Sequence, residues 1–285
     1  MSRWLLALLV AATALPAAEG WAFTVGQHRM WAYELKQEVS WVSAGDTLTY
    51  TTTMVWKLLA DPQTVTPERV ALRVQILRVI ATHLGPGSDR NVDSARDLGR
   101  ETQDPLLGHL AAMEGAVFDL DLDPRTGAVL AAHGGAELAR RLAERVPSAV
   151  PGEPSPLAQA AAVTWSDAAL ARMFGQMLAL PSEVAQTVAL GEPLDLTATR
   201  TWSGTVSSLT IPPNQLPRSV QLSRPPLAVT ATLASLAGST TTAATADQLP
   251  GDIRGQLDFT LVLDALTQRV EQQHRVLWRL SELPR

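Results

Sequence analysis

The chain has 285 residues, no cysteine and a net charge of −5. The lack of cysteine excludes disulfides, thiolate metal sites, cysteine nucleophiles and acylation of an N-terminal cysteine. The small negative charge gives no electrostatic reason to expect nucleic acid or an anionic membrane surface as a partner.

Residues 1–20 predict a cleaved secretory signal peptide. Arg3 supplies a positive start, and residues 4–15 form an almost unbroken apolar stretch. At about 1.5 Å per residue this stretch spans roughly 18 Å, well short of the roughly 30 Å of a bilayer core. Small residues then predict cleavage before Trp21, with a cut after Ala17 as the alternative. We therefore expect export to the periplasm or the extracellular space as a soluble protein with no integral membrane span.

Residues 21–146 are predicted to form an N-terminal antiparallel sheet. Apolar and polar side chains alternate from Trp31 to Trp41, and the apolar parity reverses after Gly45-Asp46. Such alternation is typical of half-buried strands. Pairing Trp41 with Leu48 and Tyr33 with Trp56 brings the apolar residues of both strands to one face. A third strand is expected from Val70 to Ile80, followed by a long loop from Gly85 to Pro105.

The pattern resumes where Phe118, Leu120 and Leu122 alternate with aspartates. Residues 124–127 have the composition of a turn, so we expect a return strand from Val129. A short helix from Ala136 to Val146 closes this half. The proline-rich residues 147–157 are typical of a linker.

Residues 158–285 are predicted to form a helix and a C-terminal antiparallel sheet. The helix is expected to begin after an N-cap at Ser166, to continue through Leu180 and to end at Pro181. We expect one face of this helix to pack on the second sheet.

The second half of the sequence resembles the first. Residues 45–53 align with residues 191–199, which places Trp56 on Trp202, and a second block aligns Phe118 with Phe259. Two matched blocks in the same order favour an internal duplication. The alternative is that two amphipathic strands before an acidic turn look alike. The sequence therefore predicts a mostly β, α+β protein with two similar curved antiparallel sheets, each with a helix packed on it.

A family resemblance rests on these same residues. A G-[DE]-x-L strand start occurs at Gly45 and Gly191, Leu180-Pro181 precedes the second start, and a glycine precedes each F-x-L-x-L-D hairpin. In these features the chain resembles an exported bacterial family of unknown function that carries tandem repeats of this kind. The resemblance implies a fold, and it transfers no catalytic residue.

The sequence offers no recognised catalytic motif, cofactor motif or metal site. No nucleophile elbow, zinc-binding helix, phosphate-binding loop or dinucleotide fingerprint is present, so we expect no cofactor. Asp119, Asp121 and Asp123 have the spacing of the start of a calcium loop, but Pro124 stands where that loop needs glycine and Leu130 where it needs glutamate. These aspartates are therefore expected on a solvated strand face and in a turn.

Tryptophan is the remaining signal, because the chain has 8 tryptophans against 2 tyrosines and 4 phenylalanines. Strand aromatics could pack in the core or line a groove for an apolar or glycan-like ligand. The candidate ligand-binding residues are Trp31, Tyr33, Trp41, Tyr50, Trp56, Trp202 and Trp278. The sequence favours a noncatalytic envelope or extracellular binding module. A structural, protein-docking component and a hydrolase with an unrecognised carboxylate site are the alternatives.

Overall fold

A computed structural model describes residues 21–43, 45–97, 108–111, 113–145, 165–178, 182–190, 199–204, 206–211, 229–244, 250–265 and 268–284. The strands are β1 (Arg29–Ser43), β2 (Asp46–Val65), β3 (Val70–Gly85), β4 (Ser88–Asp93), β5 (Val117–Leu122), β6 (Val129–His133), β7 (Ser182–Val188), β8 (Thr199–Gly204), β9 (Ser207–Ile211), β10 (Val229–Ala244), β11 (Pro250–Ala265) and β12 (Gln268–Glu282). The helices are α1 (Ser94–Asp97), α2 (Gly108–Ala111), α3 (Gly135–Arg145) and α4 (Asp167–Leu178).

One sheet contains all twelve strands. Its main order is β6-β5-β3-β2-β1-β12-β11-β10-β8-β7, with β4 paired to β3 and β9 paired to β10. The first and last strands, β1 and β12, are therefore hydrogen-bonded neighbours in the middle of the sheet. The protein is mostly β, as predicted, but the prediction of two separate sheets is wrong, because the β1–β12 pairing joins both halves into one sheet. The sheet is also not wholly antiparallel as predicted, because β7 and β8 pair in parallel.

The β1–β2 hairpin has the predicted register. Trp41 lies opposite Leu48, and Tyr33 lies opposite Trp56. The reversal of parity at the turn is the physical reason, since a slip of one residue would move every apolar side chain to the other face.

The two faces of the sheet differ in character. The inner face is defined by Trp31 and Tyr33 of β1 and by their partners on the neighbouring strands, and it carries most of the buried core. The outer face is defined by Glu34 and Lys36 of β1 and the residues paired with them. Its side chains across the central strands are mostly polar or charged.

Helix α4 covers the inner face at the N-terminal half of the sheet. Ser166 caps the helix, since its hydroxyl accepts a hydrogen bond from the Ala169 N–H at 3.3 Å, as predicted. Phe174 lies 4.8 Å from Phe118 of β5, measured between ring centroids. The predicted packing of this helix on the second sheet is therefore wrong; its main sheet contact is with β6, and its contact with β11 is small. Among the described residues, no helix is long and apolar enough to cross a membrane.

The expected long loop from Gly85 to Pro105 is partly structured. Residues 88–93 form β4, which pairs with β3 through a turn at Gly87, and α1 follows directly. Gly87 has a φ of +71°, a backbone conformation that glycine adopts without steric cost. The polar composition concealed an exposed edge hairpin. The predicted linker, residues 147–157, lies outside the described residues.

The strand order does not support a duplication that preserved the fold. Phe118 lies on β5 and Phe259 lies on β11. Each strand between them is antiparallel to its neighbour, and the number of steps from β5 to β11 is odd, so β5 and β11 run in opposite directions. Both side chains nevertheless belong to the inner face, where they pack in or against the core. To superpose the two segments with their strands in the same order and direction, one segment must be rotated so that its strands reverse direction. That rotation also exchanges the two faces of the sheet. The two segments therefore cannot be superposed with both phenylalanines inward. The predicted superposition of Leu48 on Leu194 involves a residue outside the described ranges.

Candidate functional site: two grooves on the outer face

Four of the seven candidate aromatics, including Trp278, belong to the packed core. Trp31, Tyr33 and Trp56 are 1%, 3% and 0% exposed. Tyr33 meets Trp56 edge-on at 6.1 Å, and Trp56 lies 5.6 Å from Trp165, just before α4. Burial raises the pKa of Tyr33 well above its usual value, so the side chain stays neutral at all physiological pH values. These residues hold the sheet and the helix together.

Two further candidates lie at the open end of the β1–β2 hairpin. Trp41 is 43% exposed, and its partner Leu48 is 47% exposed. Tyr50 is half-buried and stacks on His83 of β3, with ring centroids 5.9 Å apart. The inner face is therefore covered at the helix end and exposed at the turn end.

The last two candidates lie in the C-terminal half. Trp278 of β12 is 6% exposed and lies opposite Gly255 of β11. A Cβ built on Gly255 would come within 1.9 Å of the indole ring, so only glycine leaves space for that ring. Trp202 lies on β8, where its backbone pairs with Gly238 of β10; its side chain is outside what the structure describes.

A depression that we call the first groove crosses the outer face near the middle of the sheet. It encloses about 470 Å³. Most of its lining residues belong to the outer face, and Trp278 is among those that do not. The lining side chains are Glu34, Leu35, Lys36, Thr53, Ser239, Thr241, Arg254, Gln256, Leu277, Trp278 and Arg279.

A second groove lies next to the first, further along the same strands. It encloses about 340 Å³. The strand register places Glu38 opposite Arg275, and Arg275 opposite Asp258. This groove is lined by Glu38, Ser40, Ser235, Asp258, Phe259, Thr260, Gln273, His274 and Arg275. Phe259 and His274 belong to the inner face by strand register, and the other lining residues belong to the outer face. Together, the two grooves form a continuous track of hydrogen-bonding side chains across β1, β12, β11 and β10.

Ion pairs fix the side chains of this track. Arg275 Nε donates to Asp258 Oδ1 at 2.8 Å, and Lys36 Nζ lies 2.6 Å from Glu38 Oε1. Burial raises the pKa of Asp258, but hydrogen bonds from Arg275 and Gln256 outweigh it, so the pKa is below its usual value. The carboxyl group is therefore ionised at neutral pH.

His274 stacks on Phe259 of the neighbouring strand, with centroids 4.3 Å apart and an interplanar angle of 7°. Burial lowers the pKa of the imidazole below its usual value, so the ring is neutral at pH 7. Within the described ranges, no group of three or more histidine, aspartate or glutamate side chains is arranged to hold a metal ion.

The three aspartates of β5 and its turn take the predicted structural roles. Asp119 accepts a hydrogen bond from Arg73 Nε at 3.0 Å, and Asp121 lies 2.7 Å from Arg69. Asp123 accepts from the backbone N–H of Arg125 at 2.9 Å within the turn.

The sequence contained a partial signal for the grooves. Glu34, Lys36, Glu38 and Ser40 form the polar parity of β1, which is recognisable from the alternation alone. Only the pairing of β1 with β12, which are separated by most of the chain, brings Arg279 and Arg275 beside them. Nothing local in the sequence specifies that pairing.

Comparisons with known proteins do not assign the chain to a family. No protein-family model and no curated protein matches the chain. The crystal structure of MucB in complex with MucA(peri) aligns at 12% identity over 87% of this chain and 88% of that chain, with a TM-score of 0.10. The complex structure of Pseudomonas aeruginosa MucA/MucB aligns at 14% identity over 86% and 88%, also with a TM-score of 0.10. TM-scores this low do not indicate a shared fold.

Proposed function

We propose that this protein is an exported, noncatalytic binding module of the envelope or extracellular space, and that it takes a glycan-like ligand in the two outer-face grooves. The observation that carries the proposal is the grooves' lining. It combines hydroxyl, amide and charged side chains on adjacent strands with apolar surface, which makes up most of the accessible lining of the first groove and to which Leu35, Leu277 and Trp278 contribute. Sugars present closely spaced hydroxyl groups together with apolar ring faces, and such a lining offers partners for both.

The burial of the aromatic residues supports a ligand in the outer-face grooves over a lipid held in a cavity of the inner face. An apolar ligand needs accessible apolar surface, whereas Trp31, Tyr33 and Trp56 are already packed in the core. Their burial removes the tryptophan-lined cavity that would have favoured a lipid.

The second groove also allows a direct comparison with a hydrolase. Glu38 and Asp258 both line it, with Arg275 between them. Glycoside hydrolysis needs one carboxyl group that is protonated at the working pH, and such groups lie in environments that raise the pKa. Glu38 is paired with Lys36, and Asp258 is paired with Arg275. Burial raises the pKa of Asp258, but the hydrogen bonds from Arg275 and Gln256 hold it below its usual value. Asp258 is therefore not a proton donor at neutral pH, and binding without hydrolysis is the better-supported function.

The test is an array of neutral and acidic oligosaccharides probed with the mature chain and two variants. Thr53→Trp places an indole in the lining of the first groove, whereas Thr47→Trp makes the same change on the same strand and face outside the lining of both grooves. We expect the parent chain and Thr47→Trp to bind and Thr53→Trp to lose binding. Absence of binding to every saccharide, or equal binding by both variants, would contradict the proposal.

A docking role is the second candidate, because Trp41 and Leu48 expose adjoining apolar side chains. Exposed aromatic and aliphatic patches mark protein interaction sites when they are contiguous. A Trp41→Asp variant that loses a co-purifying envelope protein but keeps saccharide binding would establish this role separately.

A further inference from the structure

The two grooves differ in charge. The first is lined by three basic side chains, Lys36, Arg254 and Arg279, against the single acidic Glu34. The second is lined by two acidic side chains, Glu38 and Asp258, against the single basic Arg275. Lys36 is paired with Glu38, so the positive charge that the first groove offers to a ligand lies on Arg254 and Arg279.

The arginines of the first groove share one carboxylate. Arg254 Nε donates to Asp252 Oδ2 at 2.9 Å, and Arg279 Nε donates to Asp252 Oδ1 at 3.0 Å. The two arginines are direct cross-strand partners on β11 and β12, which brings both guanidinium groups to the same carboxylate. These bonds, chiefly that from Arg254, hold the pKa of Asp252 below its usual value. The single carboxylate of Asp252 is therefore shared by two positively charged guanidinium groups.

Arg275 provides the contrast within the same strand. Its Nε donates to Asp258 at 2.8 Å in a one-to-one pair. A guanidinium group has five N–H donors. Asp252 engages Nε and one Nη of each arginine, so each guanidinium has further donors beyond those that this carboxylate uses. The Arg254–Arg279 pair can thus donate hydrogen bonds to a second anionic group while it keeps its hydrogen bonds to Asp252.

We infer that the first groove binds a carboxylate-bearing saccharide, with the acid group held by Arg254 and Arg279 and the sugar ring lying over Leu277 towards Thr53 and Ser239. This inference rests on the proposed function and narrows its ligand class. A guanidinium pair matches the planar carboxylate in shape as well as charge. The hydroxyl groups of Thr53, Ser239 and Thr241 supply the neutral hydrogen-bond partners around it.

Calorimetric titration of the mature chain with oligogalacturonate and with its methyl ester, which has the same rings but no charge, tests the inference. We expect the acid to bind about ten-fold or more tightly than the ester, because hydrogen bonds to charged groups are the stronger ones. The preference should shrink as salt is raised, since the arginines are partly exposed. Arg254→Gln and Arg279→Gln should each remove most of the preference for the acid over the ester. The matched control Arg73→Gln, which removes an arginine from an ion pair with Asp119 outside the lining of both grooves, should retain the preference.

The outcomes separate the two proposals. Equal binding of acid and ester would overturn the carboxylate inference and leave the glycan-binding function standing. Binding of neither ligand, together with a negative neutral array, would overturn both. Loss of the preference in Arg73→Gln as much as in the other two variants would show a general charge effect and overturn the assignment to the Arg254–Arg279 pair. Thermal melts of all three variants would verify that each is folded.

Discussion

Replacing Gly127 with alanine tests how the N-terminal segment, the β5–β6 turn and helix α4 are held together. Gly127 has a φ of +68°. A Cβ at this position would lie 2.0 Å from the Leu178 carbonyl oxygen and 2.5 Å from Trp21 Nε1. These two atoms form a buried hydrogen bond of 2.7 Å, which ties Trp21 to the end of α4. The turn itself accepts a hydrogen bond from the Trp21 N–H at the Pro124 oxygen.

Three costs add at this position. The left-handed backbone costs an alanine about 1–2 kcal/mol. Overpacking against a carbonyl and an indole costs roughly 1–3 kcal/mol. Separating the indole N–H from its buried acceptor costs about 1–3 kcal/mol. Because relief of the clash and loss of the hydrogen bond overlap, we expect Gly127→Ala to lower the free energy of unfolding by about 3–5 kcal/mol.

Urea denaturation measures this change, and Gly87→Ala is the matched control. Gly87 has a φ of +71° but no atom within 4 Å of a built Cβ, so this variant should show only the backbone cost of about 1–2 kcal/mol. Equal destabilisation by the two substitutions would refute the proposal that the hydrogen bond between Trp21 and Leu178 stabilises this part of the fold.

Trp56→Ala should lower the free energy of unfolding by about 3–5 kcal/mol because it empties a fully buried site. Trp41→Ala should change the free energy of unfolding by no more than about 0.5 kcal/mol. Equal effects in thermal melts would contradict the exposure of Trp41 at the end of the hairpin. Asp93 accepts hydrogen bonds from Arg78, which hold its pKa below the usual value. Asp93→Asn should therefore destabilise the protein by about 1 kcal/mol at pH 7, and the difference should fade as the pH drops below about 4, through the folded pKa; a difference that persists in acid would contradict the ion pair. N-terminal sequencing of the exported form should find Trp21 or Ala18 first, and an intact Met1 would contradict the predicted signal peptide.

Local alternation made the hairpins predictable. The register of β1 and β2, the burial of Phe118, Leu120 and Leu122, and the cap at Ser166 all follow from short-range patterns. Each depends on residues within one hairpin or one helical turn, where sequence spacing and spatial neighbourhood coincide.

Long-range contacts were not predictable from the sequence. The pairing of β1 with β12 and the packing of Phe174 on Phe118 join segments that are distant in the chain. An amphipathic helix indicates which of its faces is buried, but it does not specify which half of a sheet will receive that face. For the same reason, the sequence located the candidate site among aromatic residues of the inner face and missed the outer-face track.

We propose that the native ligand lies on the outer face and not on the exposed end of the inner face. Photo-cross-linking with a small aliphatic diazirine amino acid introduced at Ser239, in the first groove, or at Leu48, on the inner face, tests this placement in the native envelope. Mass spectrometry of the cross-linked protein should find a saccharide adduct at position 239 and none at position 48. An adduct at position 48 alone, or a lipid at either position, would contradict the claim.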